Sequence, residues 1–213
     1  MKKKLIALVL GFAPLLAIAQ YDPEALVVLD AMSKKYKSLT SFEINFTTNL
    51  VNETINTKEE SKAKITIKGD KFHLVLDDQE IFNNGTTVWA YLPEAKEVNI
   101  DNFDKNSDDI NPSRIYEIYK KGFKYLHVEE KTEDGKLCDV IDLVPEKKDA
   151  NYFKIRMSIV KKDNSIQSWT MFDRSGDRTK YTITKFTPNV VTDDSTFSFD
   201  PKKYPGVEVI DLR

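Results

Sequence analysis

The sequence has little of what most enzymes need at an active site. It contains one cysteine and two histidines in 213 residues, and it lacks a Gly-x-Ser-x-Gly elbow, a phosphate-binding loop and a His-Glu-x-x-His motif. Cys138 has no partner for an internal disulfide, and no Cys/His spacing typical of zinc occurs. His73 and His127 fall within strand patterns with no nucleophile motif beside them. These absences predict a protein that is not an enzyme and that has no metal site or cofactor.

Long hydrophobic runs are also scarce, and the one present lies at the start of the chain. Residues 5–16 are almost wholly apolar, follow three lysines and lead to Ala17-Ile18-Ala19. A basic start, a short apolar run and an Ala-x-Ala site are typical of a secretory signal peptide, whereas a membrane-spanning helix needs a longer run. The pattern predicts a cleaved signal peptide over residues 1–19 and one mature domain over 20–213.

Basic charge is not in excess. The chain has 32 Lys and Arg against 34 Asp and Glu, a net charge of −2. Removal of the three lysines at positions 2–4 leaves 29 basic against 34 acidic residues, a net charge of about −5. An acidic domain of this kind is not expected to bind nucleic acid or an anionic membrane surface.

Much of the remaining chain alternates between apolar and polar side chains, which is typical of β-strands. The clearest strand, over residues 86–92, follows the turn Asn84-Gly85 and stops at Pro93. Both of its faces are apolar, so we expect the strand to be covered on both sides. One face carries Val88, Ala90 and Leu92, and the other carries Trp89 and Tyr91.

Similar segments recur along the whole chain, joined by short turns, and two helical segments interrupt them. We expect about eleven strands in one large antiparallel meander, including short closing strands at 197–199 and 207–210. The first helix follows Asp22-Pro23-Glu24, a cap followed by proline at the first helical position. The second starts at Asn111-Pro112-Ser113, after an acidic loop over 102–111, and carries Ile115, Ile118 and Tyr119 at helical spacing.

Two helices are too few to cover a flat sheet of this width, so the sheet must curl around them. Such a curl encloses either a packed core or a cavity. The ordinary core of a β protein explains any single inward-alternating aromatic or long aliphatic residue, whereas a concave face under few helices favours a cavity. The positions concerned are Phe42, Phe46, Phe72, Trp89, Tyr91, Phe153, Met157 and Trp169.

The order of several short motifs resembles one family, the periplasmic outer-membrane lipoprotein carrier LolA. The resemblance covers nearly the whole chain after residue 20, and its specificity comes from the shared order, because each motif is short. The matching segments are Ser38-Leu39-Thr40-Ser41-Phe42 with Phe46, the hairpin 84–93, Asn111-Pro112, Leu143-Val144-Pro145, and Phe197-Ser198-Phe199 with Pro205-Gly206-Val207.

The resemblance implies an unclosed antiparallel β-barrel with a helical lid over a hydrophobic cavity. It also implies a monomeric periplasmic carrier that takes lipoproteins from an inner-membrane ABC exporter. The carrier would shield their acyl chains and release them to an outer-membrane receptor or membrane acceptor. The residues then expected to contact acyl chains are Leu29, Met32, Phe42, Ile44, Phe46, Phe72, Leu74, Trp89, Tyr91, Ile155 and Met157.

One segment departs from the family pattern. The best-known members carry an Arg in a Lys-Arg-Pro turn after the second strand, and this Arg latches the lid. The corresponding turn here is Lys68-Gly69-Asp70-Lys71, which contains no Arg. Lys68 or Lys71 is expected to replace the Arg as a weaker point charge.

Two other functions stay open at this point. The first is a periplasmic lipid- or lipoprotein-sensing module on the same half-barrel, although such regulators usually carry a second domain that has no counterpart in this sequence. The second is a periplasmic enzyme acting on a lipid, for which the sequence shows no nucleophile–base pair. Resemblance at the level of the fold does not choose among the three.

Overall fold

The computed structural model describes residues 21–52, 55–105 and 110–213. The signal peptide expected over 1–19 and part of the acidic loop expected over 102–111 lie outside the described residues. Within these ranges the chain forms the helix α1 (Pro23–Lys37), three 3-10 helices and twelve strands. The strands are β1 (Phe42–Asn52), β2 (Thr57–Lys68), β3 (Lys71–Val75), β4 (Glu80–Asn83), β5 (Thr87–Leu92), β6 (Glu97–Asn102), β7 (Phe123–Glu133), β8 (Lys136–Pro145), β9 (Tyr152–Val160), β10 (Ile166–Asp173), β11 (Asp177–Pro188) and β12 (Glu208–Asp211).

All twelve strands join one sheet in the order β12-β6-β5-β4-β3-β2-β1-β11-β10-β9-β8-β7. Strands β1 to β6 form one meander and β7 to β11 form another, and the two meet where β1 pairs antiparallel with β11. The end strands β12 and β7 do not pair with each other among the described residues, so the sheet is an open half-barrel. The expected mainly β, unclosed architecture is confirmed, with two meanders in place of one.

The last part of the chain differs from expectation. The closing strand expected at 207–210 is present as β12, but it pairs parallel with β6, with Val209 opposite Val98. The prediction of a strand at 197–199 is wrong. The carboxylate of Asp193 accepts a hydrogen bond from the backbone N–H of Ser195 at 2.8 Å and caps a 3-10 helix, Asp194–Phe197. Local side-chain capping therefore wins over extension at this position.

Helix α1 begins where the sequence predicts. Asp22 accepts a hydrogen bond from the backbone N–H of Glu24 at 2.9 Å, and Pro23 occupies the first turn, where its missing N–H is not needed. The last turn is basic, which complements the helix dipole. One side of the helix is buried and packs onto the concave face of the sheet, through Ala25, Leu29, Met32, Ser33 and Tyr36.

The topology places a second helical segment across the same face. Strands β6 and β7 lie towards opposite ends of the sheet, so the chain between them must cross the half-barrel. This connection contains a 3-10 helix, Pro112–Lys120, which we call the crossing helix. Asn111 caps it by accepting a hydrogen bond from the backbone N–H of Ser113 at 2.9 Å. Gly122 follows it at a φ of +76°, a conformation that favours glycine.

The inward position expected for Phe153 on β9 is wrong, because a β-bulge lies beside it. Alternation predicts that Phe153 shares a face with the buried Ile155, but the register between β9 and β10 shifts next to Phe172. The shift turns Tyr152 inward to the core, while Phe153 stays 44% exposed. Phe153 contacts Phe172 instead, with ring centroids 6.1 Å apart.

Candidate functional site

The concave face of the half-barrel is a continuous apolar surface covered by α1 and the crossing helix. Rows of directly paired residues form it, such as Ile44, Ile65 and Leu74 across β1, β2 and β3. Paired residues of neighbouring strands point to the same face, so each row keeps its side chains on one side of the sheet. Nine of the eleven residues expected to contact acyl chains lie in this cluster: Leu29, Met32, Phe42, Ile44, Phe46, Phe72, Leu74, Ile155 and Met157.

Trp89 and Tyr91 do not lie with the other nine. Trp89 pairs with Phe82 across β4 and β5, whereas the adjacent pair, Ala90 with Ile81, belongs to the concave face. Trp89 and Tyr91 therefore point to the convex face. There they pack in a separate group, which we call the convex cluster: Phe82, Trp89, Tyr91, Val98, Phe199, Tyr204 and Val207.

Side chains fill the part of the concave face beneath α1. Leu29 and Met32 are completely buried, and Tyr36 is 2% exposed. The Tyr36 ring stacks on Tyr116 of the crossing helix, with ring centroids 5.3 Å apart, and its hydroxyl accepts a hydrogen bond from the backbone N–H of Ile166 at 3.1 Å. The alternating sequence pattern is compatible with either a packed core or a cavity. The end of the half-barrel beneath α1 is a packed core.

Beside the crossing helix the concave face opens into a groove with a volume of about 790 Å³. It lies between the crossing helix and the neighbouring ends of β7 to β10, and its volume is within the range of small-molecule sites. The rings of Phe123 and Tyr152 stack in its floor with centroids 6.3 Å apart. The apolar residues of the floor are Ile110, Ile118, Phe123, Tyr152 and Met171.

A half-buried aromatic group connects the packed core to the groove. Trp169 stacks on Tyr181 with ring centroids 4.8 Å apart and approaches Phe46 at 6.2 Å. Met171 lies two residues further along β10 and reaches the floor of the groove. The concave face from Phe46 to the groove is therefore apolar and only partly covered.

The β2–β3 turn holds the crossing helix through a carboxylate. Arg114 donates hydrogen bonds from Nε at 2.9 Å and from Nη2 at 2.5 Å to Oδ1 of Asp70, and Nζ of Lys105 lies 3.2 Å from Oδ2. Burial raises the pKa of Asp70, but hydrogen bonds from Arg114 and Lys105 outweigh it and leave this pKa below its ordinary value. We call Asp70 and Arg114 the latch pair.

The two lysines expected to act as the latch bind elsewhere. Lys68 and Lys71 lie 2.8 and 2.7 Å from the carboxylate oxygens of Asp194, in the C-terminal segment. Their hydrogen bonds lower the pKa of Asp194 to about 2. The expected substitution is therefore wrong, and a different pair joins the turn to the crossing helix. The turn supplies the carboxylate, and the crossing helix supplies the guanidinium.

Polar contacts also join the two helices that cover the concave face. The hydroxyl of Tyr119 donates a hydrogen bond to Oδ1 of Asp30 at 2.5 Å, and Lys37 pairs with Glu117 at 2.5 Å. Burial, followed by the hydrogen bond to Asp30, raises the pKa of Tyr119. α1 and the crossing helix thus form one cover that is held by ring stacking, hydrogen bonds and ion pairs.

The family profile described as "Outer membrane lipoprotein carrier protein LolA" matches residues 37–200. The chain belongs to the LolA family. Proteins named outer-membrane lipoprotein carrier protein from Pseudomonas paraeruginosa (strain DSM 24068 / PA7) and Pseudomonas aeruginosa (strain UCBPP-PA14) are each 29% identical over 143 residues. Each match covers 63% of this chain, and the chain spans 62% of the length of each relative.

A solved structure of an uncharacterized conserved protein from Thermus thermophilus has a similar fold. Its TM-score is 0.60 at 11% sequence identity, and the match covers 88% of this chain and 99% of that chain. At this identity the similarity shows the fold alone. It supports the open half-barrel as the common architecture and adds nothing about ligands.

The two histidines of this LolA-family chain have structural partners. Nε2 of His127 lies 2.9 Å from Asp139, and Nε2 of His73 lies 3.0 Å from Glu80. Burial raises the pKa of the Cys138 thiol, which disfavours the nucleophilic thiolate. In the part of the chain that the structure describes, no group of three or more His, Cys, Asp or Glu residues could hold a metal ion. No described helix is long and apolar enough to cross a membrane.

Sequence reasoning missed part of the cover. It placed Ile115, Ile118 and Tyr119 on the buried side of a regular helix, but Tyr116 is also buried and stacks on α1. The crossing helix is a 3-10 helix with non-helical dihedral angles at Arg114, which changes the residues that face inward. The contact between Arg114 and Asp70 spans 44 residues, so no local pattern reveals it.

Proposed function

We propose that this LolA-family protein is a periplasmic carrier that binds the acyl chains of lipoproteins at the inner membrane and delivers them to the outer membrane. The observation that supports this most directly is the concave apolar face with its two-helix cover and the groove beside it. A signal peptide of the kind expected at residues 1–19 would direct export to this compartment. The proposed role is binding and transfer, without catalysis.

The energetics favour a face that opens for cargo. Each methylene transferred from water contributes about 0.8 kcal/mol, whereas each partly exposed ion pair contributes about 0.2–1 kcal/mol. The cover depends in part on such pairs, Arg114 with Asp70 and Lys37 with Glu117. Burial of a few methylenes therefore offsets the loss of both pairs, and further acyl methylenes would have to replace the apolar contacts that the buried α1 side chains lose when the cover opens.

Loading and release require partners that favour different states of the cover. The proposed donor is an inner-membrane ABC exporter, and the proposed acceptor is an outer-membrane receptor or the membrane itself. A partner shifts the equilibrium between a covered and an open face only through its different affinity for the two states. A monomer suffices for this cycle, because one chain supplies both the concave face and its cover.

A release assay tests the proposal. Purified protein from Gln20 onward is added to spheroplasts of the source organism, and the supernatant is analysed for acylated lipoproteins by mass spectrometry. We expect stoichiometric soluble complexes with the unaltered chain and none with Phe46→Glu, since a carboxylate in the apolar face opposes acyl chains. Met171→Glu, at a half-buried position, provides a second variant in case Phe46→Glu fails to fold. Val191→Glu, at a fully exposed position, is the matched control.

The outcomes separate the alternatives. Equal release by the unaltered chain and both concave-face variants would show that acyl chains do not bind there. Free lipids bound in place of lipoproteins would assign the half-barrel to lipid transport or sensing. Complexes formed by the unaltered chain and by Val191→Glu, but not by the two concave-face variants, would support the carrier.

A further inference from the structure

Asn83 places a polar side chain inside the concave face. It is the last residue of β4, pairs with Phe72 of β3 and is completely buried. Phe72 belongs to the apolar cluster of the concave face, whereas Phe82, the residue before Asn83, belongs to the convex cluster. Because successive side chains of a strand point to opposite faces, the Asn83 amide lies on the face that is proposed to bind acyl chains.

The oxygen and the nitrogen of this amide differ in how they are bonded. Oδ1 accepts a hydrogen bond from the backbone N–H of Gly85 at 2.6 Å, which fixes the orientation of the amide, because its nitrogen cannot accept. Nδ2 carries two N–H groups, and it has no hydrogen-bond partner in the part of the chain that the structure describes. The turn therefore uses the oxygen of Asn83 and leaves its nitrogen as an unused donor.

An unused donor at this depth points to a ligand. A buried N–H group that has lost water and gained no partner destabilises the folded chain, so buried polar groups are nearly always paired. The hydrocarbon of an acyl chain contains no acceptor and cannot pair with it. The carbonyl oxygen of the group that joins the chain to its cargo is an acceptor attached directly to that hydrocarbon.

We propose that Nδ2 of Asn83 donates a hydrogen bond to the carbonyl oxygen of an acyl linkage in the bound cargo. The inference rests on the proposed carrier function and assigns a residue that recognises the polar end of an acyl chain. The carbonyl belongs either to an ester of glycerol or to an amide of the N-terminal amine, and both groups offer the same acceptor.

The surroundings of Asn83 suit a chain whose polar end lies beside it. Ile81 precedes Asn83 by two residues on the same face, and Leu74 lies opposite Ile81 on β3. Apolar surface for the first methylenes therefore begins next to the amide. On the other side, Gly85 lies beside Lys71, in the turn that contributes to the latch pair. That turn is polar and partly exposed, so the attached polypeptide can leave the half-barrel there.

Three synthetic lipopeptides test the proposal. All have the same uncharged peptide after a cysteine that carries a glyceryl group with two long chains of equal length. The first has ester-linked chains and a free amine. The second has ether-linked chains and a free amine, so it lacks an acyl carbonyl. The third has ether-linked chains and one further chain joined to the amine as an amide. Their dissociation constants are measured by fluorescence.

The variant Asn83→Ser removes the Nδ2 donor, and its hydroxyl can still accept the backbone N–H of the turn. The matched control is Asn84→Ser, the same change at the next residue. Oδ1 of Asn84 accepts hydrogen bonds within the turn, from the backbone N–H groups of Thr86 at 3.0 Å and Thr87 at 2.9 Å. The control therefore weakens the turn and leaves the buried donor in place.

A second measurement needs no variant. NMR spectra of the unaltered mature chain record the side-chain amide proton resonances of Asn83 with each lipopeptide. We expect these resonances to move downfield with a lipopeptide that has an acyl carbonyl and to stay in place with the ether-linked lipopeptide that has a free amine.

Asn83→Ser should lose about fivefold in affinity for a lipopeptide with an acyl carbonyl, relative to its affinity for the lipopeptide without one. Affinity for the latter should be the same in the unaltered chain and in both variants. Asn84→Ser should keep the relative affinities of the unaltered chain. A loss confined to the ester-linked lipopeptide would identify the ester carbonyl as the acceptor, and a loss confined to the amide-linked one would identify the amide carbonyl.

Three results would overturn the proposal. Unchanged relative affinities in Asn83→Ser, with Asn83 resonances that respond alike to all three lipopeptides, would remove this contact and leave the carrier function in place. An equal loss of affinity for all three lipopeptides would restrict Asn83 to its role in the turn. Failure of the unaltered chain to bind any of them would remove the carrier function as well. If Asn83→Ser does not fold, the resonances of the unaltered chain decide alone.

Discussion

The two faces of the half-barrel are both apolar and both rich in aromatic residues, but they are covered in different ways. The convex cluster is covered by the C-terminal segment of the chain itself. Tyr204 from that segment lies 4.5 Å from both Tyr91 and Phe199, measured between ring centroids. The concave face is covered by two helices that are joined partly by exposed polar pairs, and it leaves the groove open. The convex cluster is therefore closed by the chain itself, whereas the concave face keeps an opening at the groove.

This comparison shows that apolar composition alone does not identify a ligand site. Trp89 and Tyr91 are as suitable for contact with an acyl chain as Phe46, yet the chain's own residues already cover them. What distinguishes the concave face is that its cover leaves a groove open beside the crossing helix.

The largest expected effect is on stability, at the convex cluster. Phe199→Ala should lower the free energy of unfolding by about 3–5 kcal/mol, because it removes a buried ring that three other aromatic residues contact. Lipopeptide affinity of the folded variant should not change. Chemical denaturation and binding measurements check both statements. A large loss of affinity with intact folding would assign the convex cluster to the ligand site.

The next effect concerns binding, at the two tryptophans. Trp169→Ala should weaken lipopeptide binding about tenfold, because Trp169 provides half-buried apolar area on the concave face. Trp89→Ala is the matched control on the other face and should leave affinity within a factor of two. Titration of each folded variant with the same lipopeptide gives the comparison. If the two variants lose affinity equally, the assignment of faces is wrong.

A smaller effect is expected at the latch pair. Arg114→Ala should speed amide hydrogen exchange in the crossing helix by about fivefold at neutral pH, since a partly exposed pair contributes about 1 kcal/mol or less. Lys105→Ala should have a weaker effect, because Lys105 makes the longer contact with Asp70. Unchanged exchange in Arg114→Ala would show that the pair does not hold the cover.

The latch pair also predicts a pH dependence. The pKa of Asp70 is lower in the folded chain than its ordinary value of 3.8. Its contribution to stability is therefore fully present above about pH 4 and is lost as the pH falls through the lowered value. Asp70→Asn should remove this contribution to the free energy of unfolding. Unfolding measurements between pH 5 and about pH 2 would then show a smaller decrease in stability for the variant than for the unaltered chain.

The smallest effect is a second pH dependence, at the convex face. Burial lowers the pKa of His73 below its ordinary value of 6.5, and the contact with Glu80 counters this only in part. Because the unfolded chain binds the proton more readily, stability should decrease as the pH falls from about 6.5 through the lowered value. His73→Gln should remove this slope, which thermal unfolding at pH 7.5 and pH 5.5 would reveal. An unchanged slope would place its origin elsewhere.

The sequence predicts those elements that are determined by interactions between neighbouring residues. The cap at Asp22, the turns at Gly69 and Gly85 and the alternation along β1 all agree with the structure. Short-range side-chain hydrogen bonds and backbone preferences determine these features, so they can be read from a few consecutive residues.

Features that depend on distant contacts could not be predicted in the same way. The alternating pattern does not predict which face of the sheet Trp89 lies on, because both faces of its strand are apolar. That face depends on which side of the sheet the C-terminal segment covers. The parallel pairing of β12 with β6 and the contact of Arg114 with Asp70 join residues far apart in the chain. Their geometry follows from the path of the chain across the half-barrel.

One measurement tests the assignment of the concave face most directly. The chain contains two tryptophans, Trp169 on the concave face and Trp89 in the convex cluster. A lipopeptide with brominated acyl chains quenches only indole fluorescence with which its chains make contact. We expect strong quenching in Trp89→Phe, where only Trp169 remains, and little in Trp169→Phe. Strong quenching of Trp89 with Trp169 unaffected would contradict the concave-face site.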